Sequence, residues 1–173
     1  CCRGREILLS VKAKEIIFPT YSQVVAHFPK LAGKETYLFS IDEISYFLFR
    51  EEGGEHLAER ADRSLNGFEW VKMQELRTAE SQNAAFAAVT GIQLADWYGS
   101  RTFCSRCGHK LVHSEKERML FCPSCSLTEY PKISPAVIVA VTDGDKILLT
   151  KYAGRAYTKY ALIAGFAEIG ESI

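Results

Sequence analysis

Four cysteines in the second half of the chain have the spacing of a metal site. Cys104 and Cys107 form one Cys-x-x-Cys pair, Cys122 and Cys125 form another, and 14 residues separate the two pairs. Two residues between thiols let one tight turn aim both sulfurs at a common point, and two such turns complete a tetrahedron with Zn–S distances of about 2.3 Å. Gly108, directly after the first pair, supplies the permissive backbone that such a turn needs. The spacing therefore predicts a zinc ribbon.

A zinc ion held by four thiolates has no open coordination position, so we expect it to stabilise the fold and to take no part in catalysis. His109 and His113 lie between the two pairs, but four sulfurs already fill the coordination shell, and neither histidine is assigned as a ligand. Thiolate ligands must stay reduced, which favours a cytoplasmic location. Cys1 and Cys2 have no partner pair and are left unassigned.

A zinc ribbon by itself leaves the function open, because some ribbons hold nucleic acid or a partner protein and others only brace a neighbouring domain. Between the cysteine pairs, three basic residues stand against two acidic ones: Lys110, Glu115, Lys116, Glu117 and Arg118. An excess of one positive charge is too small for a row of basic side chains that binds the phosphates of a nucleic acid. The whole chain has 21 Lys and Arg and 21 Asp and Glu, so no net charge attracts a polyanion. A non-enzymatic adaptor that binds nucleic acid or protein is the alternative function.

Residues 165–172 have the glycine spacing of a phosphate-binding loop but the wrong charge. Gly165 and Gly170 are five positions apart, and Glu171 stands where a P-loop requires a lysine to meet the phosphates. A carboxylate there would repel phosphate unless a divalent cation stood between them. The same residues fit the opening of a Nudix box, a loop that enters a helix whose later glutamates bind Mg²⁺ or Mn²⁺ through oxygen ligands. Such cations neutralise a diphosphate and activate water.

Taken together, these motifs resemble one family over about 70 residues, 101–173. The two cysteine pairs, then YPKISP, then two predicted strands, then AGFAEIGES look like the zinc-ribbon NADH pyrophosphatases of the Nudix superfamily. The resemblance implies an N-terminal α+β domain, a zinc ribbon and an α/β/α Nudix domain, in a homodimer. It also implies cleavage of the diphosphate of NADH, NAD⁺ or a related dinucleotide into AMP and nicotinamide mononucleotide, and removal of NAD caps from RNA.

The resemblance assigns roles to individual residues. It makes the four cysteines the zinc ligands, and it places Glu117 and Tyr130 where the family contacts the dinucleotide. The backbone carbonyl of Ala164 falls where the family coordinates a catalytic Mg²⁺ or Mn²⁺, and Phe166 falls where a ring stacks on a substrate base. Glu171 is the first glutamate of the box, which is mainly structural because it pairs with the box arginine.

The sequence departs from the family pattern at its end. The box continues in the family with an Arg-Glu and a later Glu-Glu pair, and this sequence stops two residues after Glu171. We therefore expect the chain as given to lack the catalytic glutamates and to be inactive by itself. Because it opens without methionine or a signal peptide, we also expect it to be a fragment.

The remaining sequence predicts the elements that must position these residues. Alternating and β-branched runs predict strands, and apolar positions near helical spacing after Ser81, an available N-cap, predict a helix. Residues 42–43 and 143–144 are predicted to turn two hairpins, and 50–67 a polar surface connection. The predicted strands are 6–11, 15–18, 36–41, 44–49, 68–76, 136–141, 146–150 and 160–164, and the predicted helix is 80–98.

The composition limits the class of protein and the number of domains that the chain can form. With 47% apolar and 24% charged residues, the chain is typical of a globular protein of one or two domains. The longest purely apolar stretch, 136–141, has six residues, whereas a membrane helix needs about 20, so we expect no membrane span. The predicted class is α+β, with an N-terminal α+β domain at 1–100, a zinc ribbon at 101–130 and the start of a Nudix domain at 131–173.

Overall fold

The computed structural model describes residues 1–3, 5–49, 65 and 67–171. These residues form two compact units, Cys1–Pro131 and Lys132–Ile173, called here the first and second units. Helices and short antiparallel sheets are mixed along the chain, which confirms the predicted α+β class. The predicted connection at 50–67 lies outside the described residues except for Leu65 and Gly67. Across the described ranges, no helix has the length and apolarity needed to cross a membrane.

The first sheet is built around one central strand. Strand β2 pairs antiparallel with β3 and β6, and β1 extends the sheet along β2. Leu8 and Leu9 of β2 are both fully buried, so this strand is covered on both faces. The elements are β1 (Cys2–Arg3), β2 (Glu6–Lys12), β3 (Glu15–Ile17) and β6 (Glu69–Lys72).

The predicted hairpin at 36–49 is confirmed. Strands β4 (Glu35–Ile41) and β5 (Ile44–Phe49) pair antiparallel from Ile41 opposite Ile44 outward. Asp42 turns the chain with a φ of 50°, a left-handed value that Asp tolerates better than most residues. The hairpin sends Leu38 and Leu48 into the core.

The predicted strand at 68–76 is wrong beyond Lys72. The sheet ladder ends where the Met73 N–H donates to the Arg5 carbonyl at 3.2 Å, and Met73–Thr78 continues as a 3₁₀ helix. This tighter winding places Leu76 and Ala79, three residues apart, in the core that β2 shares with the long helix.

The predicted long helix is confirmed as α2 (Gln82–Ser100), with Ser81 as its N-cap. The Ser81 side chain accepts a hydrogen bond from the Ala84 N–H at 3.4 Å. A shorter helix, α1 (Tyr21–His27), was missed, although Thr20 and Gln23 carry the capping-box signature that predicts it.

One of the hydrophobic cores of the first unit joins α2, the β4–β5 hairpin and the ribbon. Its members come from all three parts of the chain: Leu38, Leu48, Leu94, Trp97, Tyr98, Cys104, Leu111, Leu120 and Cys122. The ribbon strands are β7 (Val112–His113), β8 (Leu120–Phe121) and β9 (Thr128–Glu129), in that order in one sheet. Each strand has only two residues, so the ribbon depends on this shared core and on its cysteines.

The second unit pairs its strands differently from the prediction. Strand β10 (Ala136–Val139) pairs with β13 (Ile163–Phe166), and across the turn at 143–144 β11 (Thr142–Asp143) pairs with β12 (Lys146–Ile147). The predicted hairpin is confirmed at its turn, where β11 pairs with β12 and the Leu148 N–H donates to the Val141 carbonyl at 2.9 Å. The expectation that the whole strand at 136–141 pairs with 146–150 is wrong, because Ala136–Val139 pairs with β13. No described residue of the second unit is buried.

Truncation of Leu48 tests the shared core. Leu48 is 2% exposed, and Ile44 at the start of the same strand is 61% exposed. We expect Leu48→Ala to lower the free energy of unfolding by about 2–5 kcal/mol, through lost burial and a residual cavity. Ile44→Ala, the matched control, should change it by less than about 0.5 kcal/mol. Urea unfolding of the zinc-loaded chain measures both, and equal effects would contradict the packing.

Candidate metal centre

The two cysteine pairs sit on turns with the same backbone hydrogen bonds. At the first turn, the Gly108 N–H donates to the Cys104 carbonyl at 2.9 Å, and at the second the Ser126 N–H donates to the Cys122 carbonyl at 2.9 Å. Gly108 and Ser126 have φ values of 75° and 59°. The sequence predicted a left-handed backbone conformation at Gly108 but not at Ser126. Ser126 adopts the same conformation although its side chain makes it less favourable than for glycine. The two turns are therefore equivalent in geometry.

The four sulfurs converge on one point. The Sγ atoms of Cys104 and Cys125 are 3.5 Å apart, those of Cys107 and Cys122 3.4 Å, and those of Cys107 and Cys125 3.5 Å. All four sulfurs lie within 4.8 Å of one another. A zinc tetrahedron with bonds of about 2.3 Å has edges of about 3.8 Å, whereas a disulfide bond is about 2.05 Å. The four free thiols therefore fit a tetrahedral zinc ion.

The local environment lowers the pKa of one zinc-site cysteine and raises that of another. Burial alone would raise the pKa of Cys104, but hydrogen bonds from the backbone at Cys107 and Arg106, with side-chain bonds, lower it to about 6. The Leu127 backbone lowers the pKa of Cys125, but burial and the three neighbouring sulfurs outweigh it and raise that pKa to about 12. The cluster therefore holds some protons until a cation replaces them.

Neither ribbon histidine joins the cluster. Within the described ranges, these four cysteines are the one group of three or more His, Cys, Asp or Glu side chains that could hold a metal ion. The Nε2 atom of His113 is instead 2.8 Å from the hydroxyl of Tyr98, a residue that is 2% exposed on α2. This bond links the long helix to the first ribbon strand, and sequence reasoning missed it because Tyr98 carries no motif.

A second link was also missed. The Arg101 guanidinium, one residue beyond α2, lies 3.6 Å from the carboxylate of Glu129 in β9. The opposite charges of Arg101 and Glu129, near the two ends of the predicted ribbon at 101–130, could have predicted this ion pair from the sequence. The ion pair holds the last ribbon strand near the point where the helix ends.

Two residues that the resemblance assigned to substrate are brought together. The Tyr130 hydroxyl donates to Oε1 of Glu117 at 3.4 Å, and Tyr130 is 52% exposed. Desolvation and the negative charge of Glu117 raise the pKa of Tyr130 above its ordinary value. The hydroxyl is protonated at neutral pH, as an ordinary tyrosine is, and its proton is directed at Glu117.

The other assigned residues lie in the second unit. Ala164 is opposite Ile138 in the β10–β13 pair, and Phe166 is 74% exposed. Oε2 of Glu171 accepts a hydrogen bond from the Glu168 N–H at 2.8 Å, which closes the glycine-rich turn. The exposed ring of Phe166 is available for stacking, and Glu171 has a structural contact within the turn.

Comparison with known proteins identifies the ribbon. Residues 100–130 match the family model described as the NADH pyrophosphatase zinc ribbon domain. A "NAD-capped RNA hydrolase NudC" from Pectobacterium carotovorum subsp. carotovorum is 41% identical over 83 residues, which are 48% of this chain and 32% of that protein. Its namesake from Pseudomonas aeruginosa strain LESB58 is 40% identical over 109 residues, 63% of this chain and 39% of that protein.

The fold and the cysteine site define a four-cysteine zinc-ribbon protein of the α+β class. The matches carry this further: residues 100–130 are similar to the NADH pyrophosphatase zinc ribbon domain, and longer segments of the chain are about 40% identical to proteins named NAD-capped RNA hydrolases. The aligned segment spans about a third of the length of the curated relatives that it matches.

Loss of one sulfur tests the zinc site. We expect the purified chain to hold one Zn²⁺, and Cys104→Ser to weaken zinc binding more than about 100-fold, because changes outside the ligands already cost 10–100-fold. Ser105→Ala in the same turn is the matched control and should keep the zinc. Metal analysis and competition with a chelating dye measure both, and stoichiometric, undiminished zinc in Cys104→Ser would contradict the site.

Removal of one charge tests the Glu117–Tyr130 contact. We expect Glu117→Gln to lower the pKa of Tyr130 toward its ordinary value of about 10, because the tyrosinate no longer faces a carboxylate. Glu115→Gln removes a charge from the same loop and should leave that pKa unchanged. NMR titration of ¹³C-labelled tyrosine, assigned with Tyr130→Phe, gives the values. An unchanged pKa in Glu117→Gln would show that the contact is absent in solution.

Proposed function

We propose that the protein hydrolyses the diphosphate bond of NAD(H), releasing AMP and nicotinamide mononucleotide, and that it also removes NAD caps from RNA. The observation that carries this proposal is the exposed Glu117–Tyr130 pair, which lies within the residues that match the NADH pyrophosphatase zinc ribbon and which the resemblance assigns to dinucleotide contact. The relatives named as NAD-capped RNA hydrolases support the same substrate class.

In this proposal the chain's own residues bind and orient the substrate. The Tyr130 hydroxyl, whose proton is directed at Glu117, accepts a hydrogen bond from a donor group of the dinucleotide, and the other carboxylate oxygen of Glu117 accepts from a substrate hydroxyl. The ring of Phe166, which is 74% exposed, stacks on a base. Glu171 keeps its structural role by closing the glycine-rich turn.

The proposal includes Mg²⁺ or Mn²⁺ as the catalytic cation, with the Ala164 carbonyl as one ligand. The described residues gather no cluster of three acidic side chains near this carbonyl, so the part of the chain that the structure describes does not itself fit such a cation. Further ligands would have to come from residues outside those described.

The proposal places the protein in the cytoplasm as a homodimer. A reducing compartment keeps the four zinc-binding thiols reduced. The second unit exposes large apolar side chains, among them Ile133 at 80% and Ile138 at 71%, which gives a second copy apolar surface to cover. Sedimentation of the zinc-loaded protein measures the oligomeric state.

Hydrolysis is tested with the product of the complete reading frame. We expect it to release AMP from NADH in the presence of Mg²⁺ or Mn²⁺, and Tyr130→Phe to raise KM about 5–10-fold, the worth of one hydrogen bond of about 1–1.4 kcal/mol. The exposed Tyr157→Phe is the matched control and should leave KM unchanged. Absence of AMP from a metal-loaded protein would overturn the proposal and favour a ribbon adaptor.

A further inference from the structure

The four zinc-binding cysteines differ in their access to solvent. Cys104 and Cys122 are 4% and 1% exposed, Cys125 is half-buried, and Cys107 is exposed. A zinc-bound sulfur is a thiolate, and oxidation of thiolates follows their exposure. A dissolved oxidant therefore reaches Cys107 before it reaches the other three cysteines.

We propose that Cys107 is an oxidation site at which a hydroperoxide opens the zinc ribbon, releasing the metal and loosening the core that the ribbon shares with α2. The proposal rests on the exposure of one cysteine residue and on the position of the neighbouring sulfurs, and it is independent of the hydrolase function.

The first step is a two-electron oxidation of one sulfur. The Cys107 thiolate attacks the outer oxygen of the hydroperoxide, a sulfur–oxygen bond forms, and the oxygen–oxygen bond breaks. The departing alkoxide, or hydroxide from hydrogen peroxide, takes a proton from water, and Cys107 becomes a sulfenic acid. This sulfur is a poor ligand for zinc, so one of the four bonds is lost.

The second step needs a nearby thiolate, and the structure supplies two. The sulfurs of Cys122 and Cys125 lie 3.4 and 3.5 Å from that of Cys107. Either thiolate can attack the sulfenic sulfur, forming a disulfide as hydroxide leaves. The two steps together oxidise two thiolates and reduce one hydroperoxide. Because a disulfide removes two ligands, zinc leaves, and a thiol reductant reverses the reaction.

The consequence reaches beyond the ribbon because the buried ligands belong to the shared core. Cys104 and Cys122 pack with Trp97 and Tyr98 of α2 and with Leu48 of the hairpin. The ribbon strands have two residues each and keep little structure without the metal. Loss of zinc should therefore expose the indole of Trp97, which is 6% exposed in the folded chain.

The test uses the zinc-loaded chain treated with hydrogen peroxide. A chelating dye follows zinc release, and thiol alkylation with peptide mapping shows which cysteine is oxidised first. Trp70→Phe leaves Trp97 as the sole tryptophan, so its fluorescence reports on the core. We expect Cys107 to be oxidised first, zinc to leave as the disulfide forms, and the Trp97 emission to shift to the red and recover with thiol reductant and zinc.

Two histidine variants separate this site from general oxidation. Cys107→His keeps a four-ligand zinc site, because imidazole is a normal zinc ligand, but removes the sulfur of the exposed cysteine. We expect it to release zinc at least tenfold more slowly in peroxide, whereas Cys125→His, which keeps Cys107, should release zinc near the wild-type rate. Equal rates for Cys107→His and wild type, or first oxidation at Cys104 or Cys122, would overturn the proposal. If a variant does not retain zinc, peptide mapping of the first oxidised cysteine in the wild-type chain decides whether the proposal holds.

Discussion

The convergence of four sulfurs on one point is the constraint on which the first unit depends. The three ribbon strands have two residues each, far too few to fold through backbone hydrogen bonds alone. The equivalent turns after Cys104 and Cys122 aim the sulfurs at a common site, and a zinc ion there supplies the free energy that the short strands lack. Two of these sulfurs are also core residues, so metal binding and hydrophobic packing are not separate contributions.

This double role makes the ribbon part of a larger structure. Cys104 and Cys122 lie in one cluster with Trp97 and Tyr98, and the hydrogen bond from Tyr98 to His113 crosses from α2 to the ribbon. The helix therefore sets the position of the ribbon loop that carries Glu117. Because Glu117 accepts a hydrogen bond from Tyr130, a zinc site without open coordination positions still helps to position the residues of the candidate binding surface.

The second unit is stabilised differently from the first. Its strands pair through backbone hydrogen bonds, but none of its described residues is buried. It therefore gains little hydrophobic free energy from its own packing. The residues assigned to a cation and to base stacking, Ala164 and Phe166, lie on its β13 strand in this exposed setting.

Much of this protein was determined by the sequence alone, wherever the deciding interaction is local. The spacing of the cysteine pairs predicted the metal site, Ser81 predicted the start of α2, and the turn at 42–43 predicted the hairpin, because each depends on residues a few positions apart. Tertiary structure decided the rest. The pairing of β10 with β13, the 3₁₀ helix after Lys72 and the Tyr98–His113 bond all depend on partners distant in the chain. Local propensity cannot rank such partners, because their free energy comes from packing that exists only once the chain has folded.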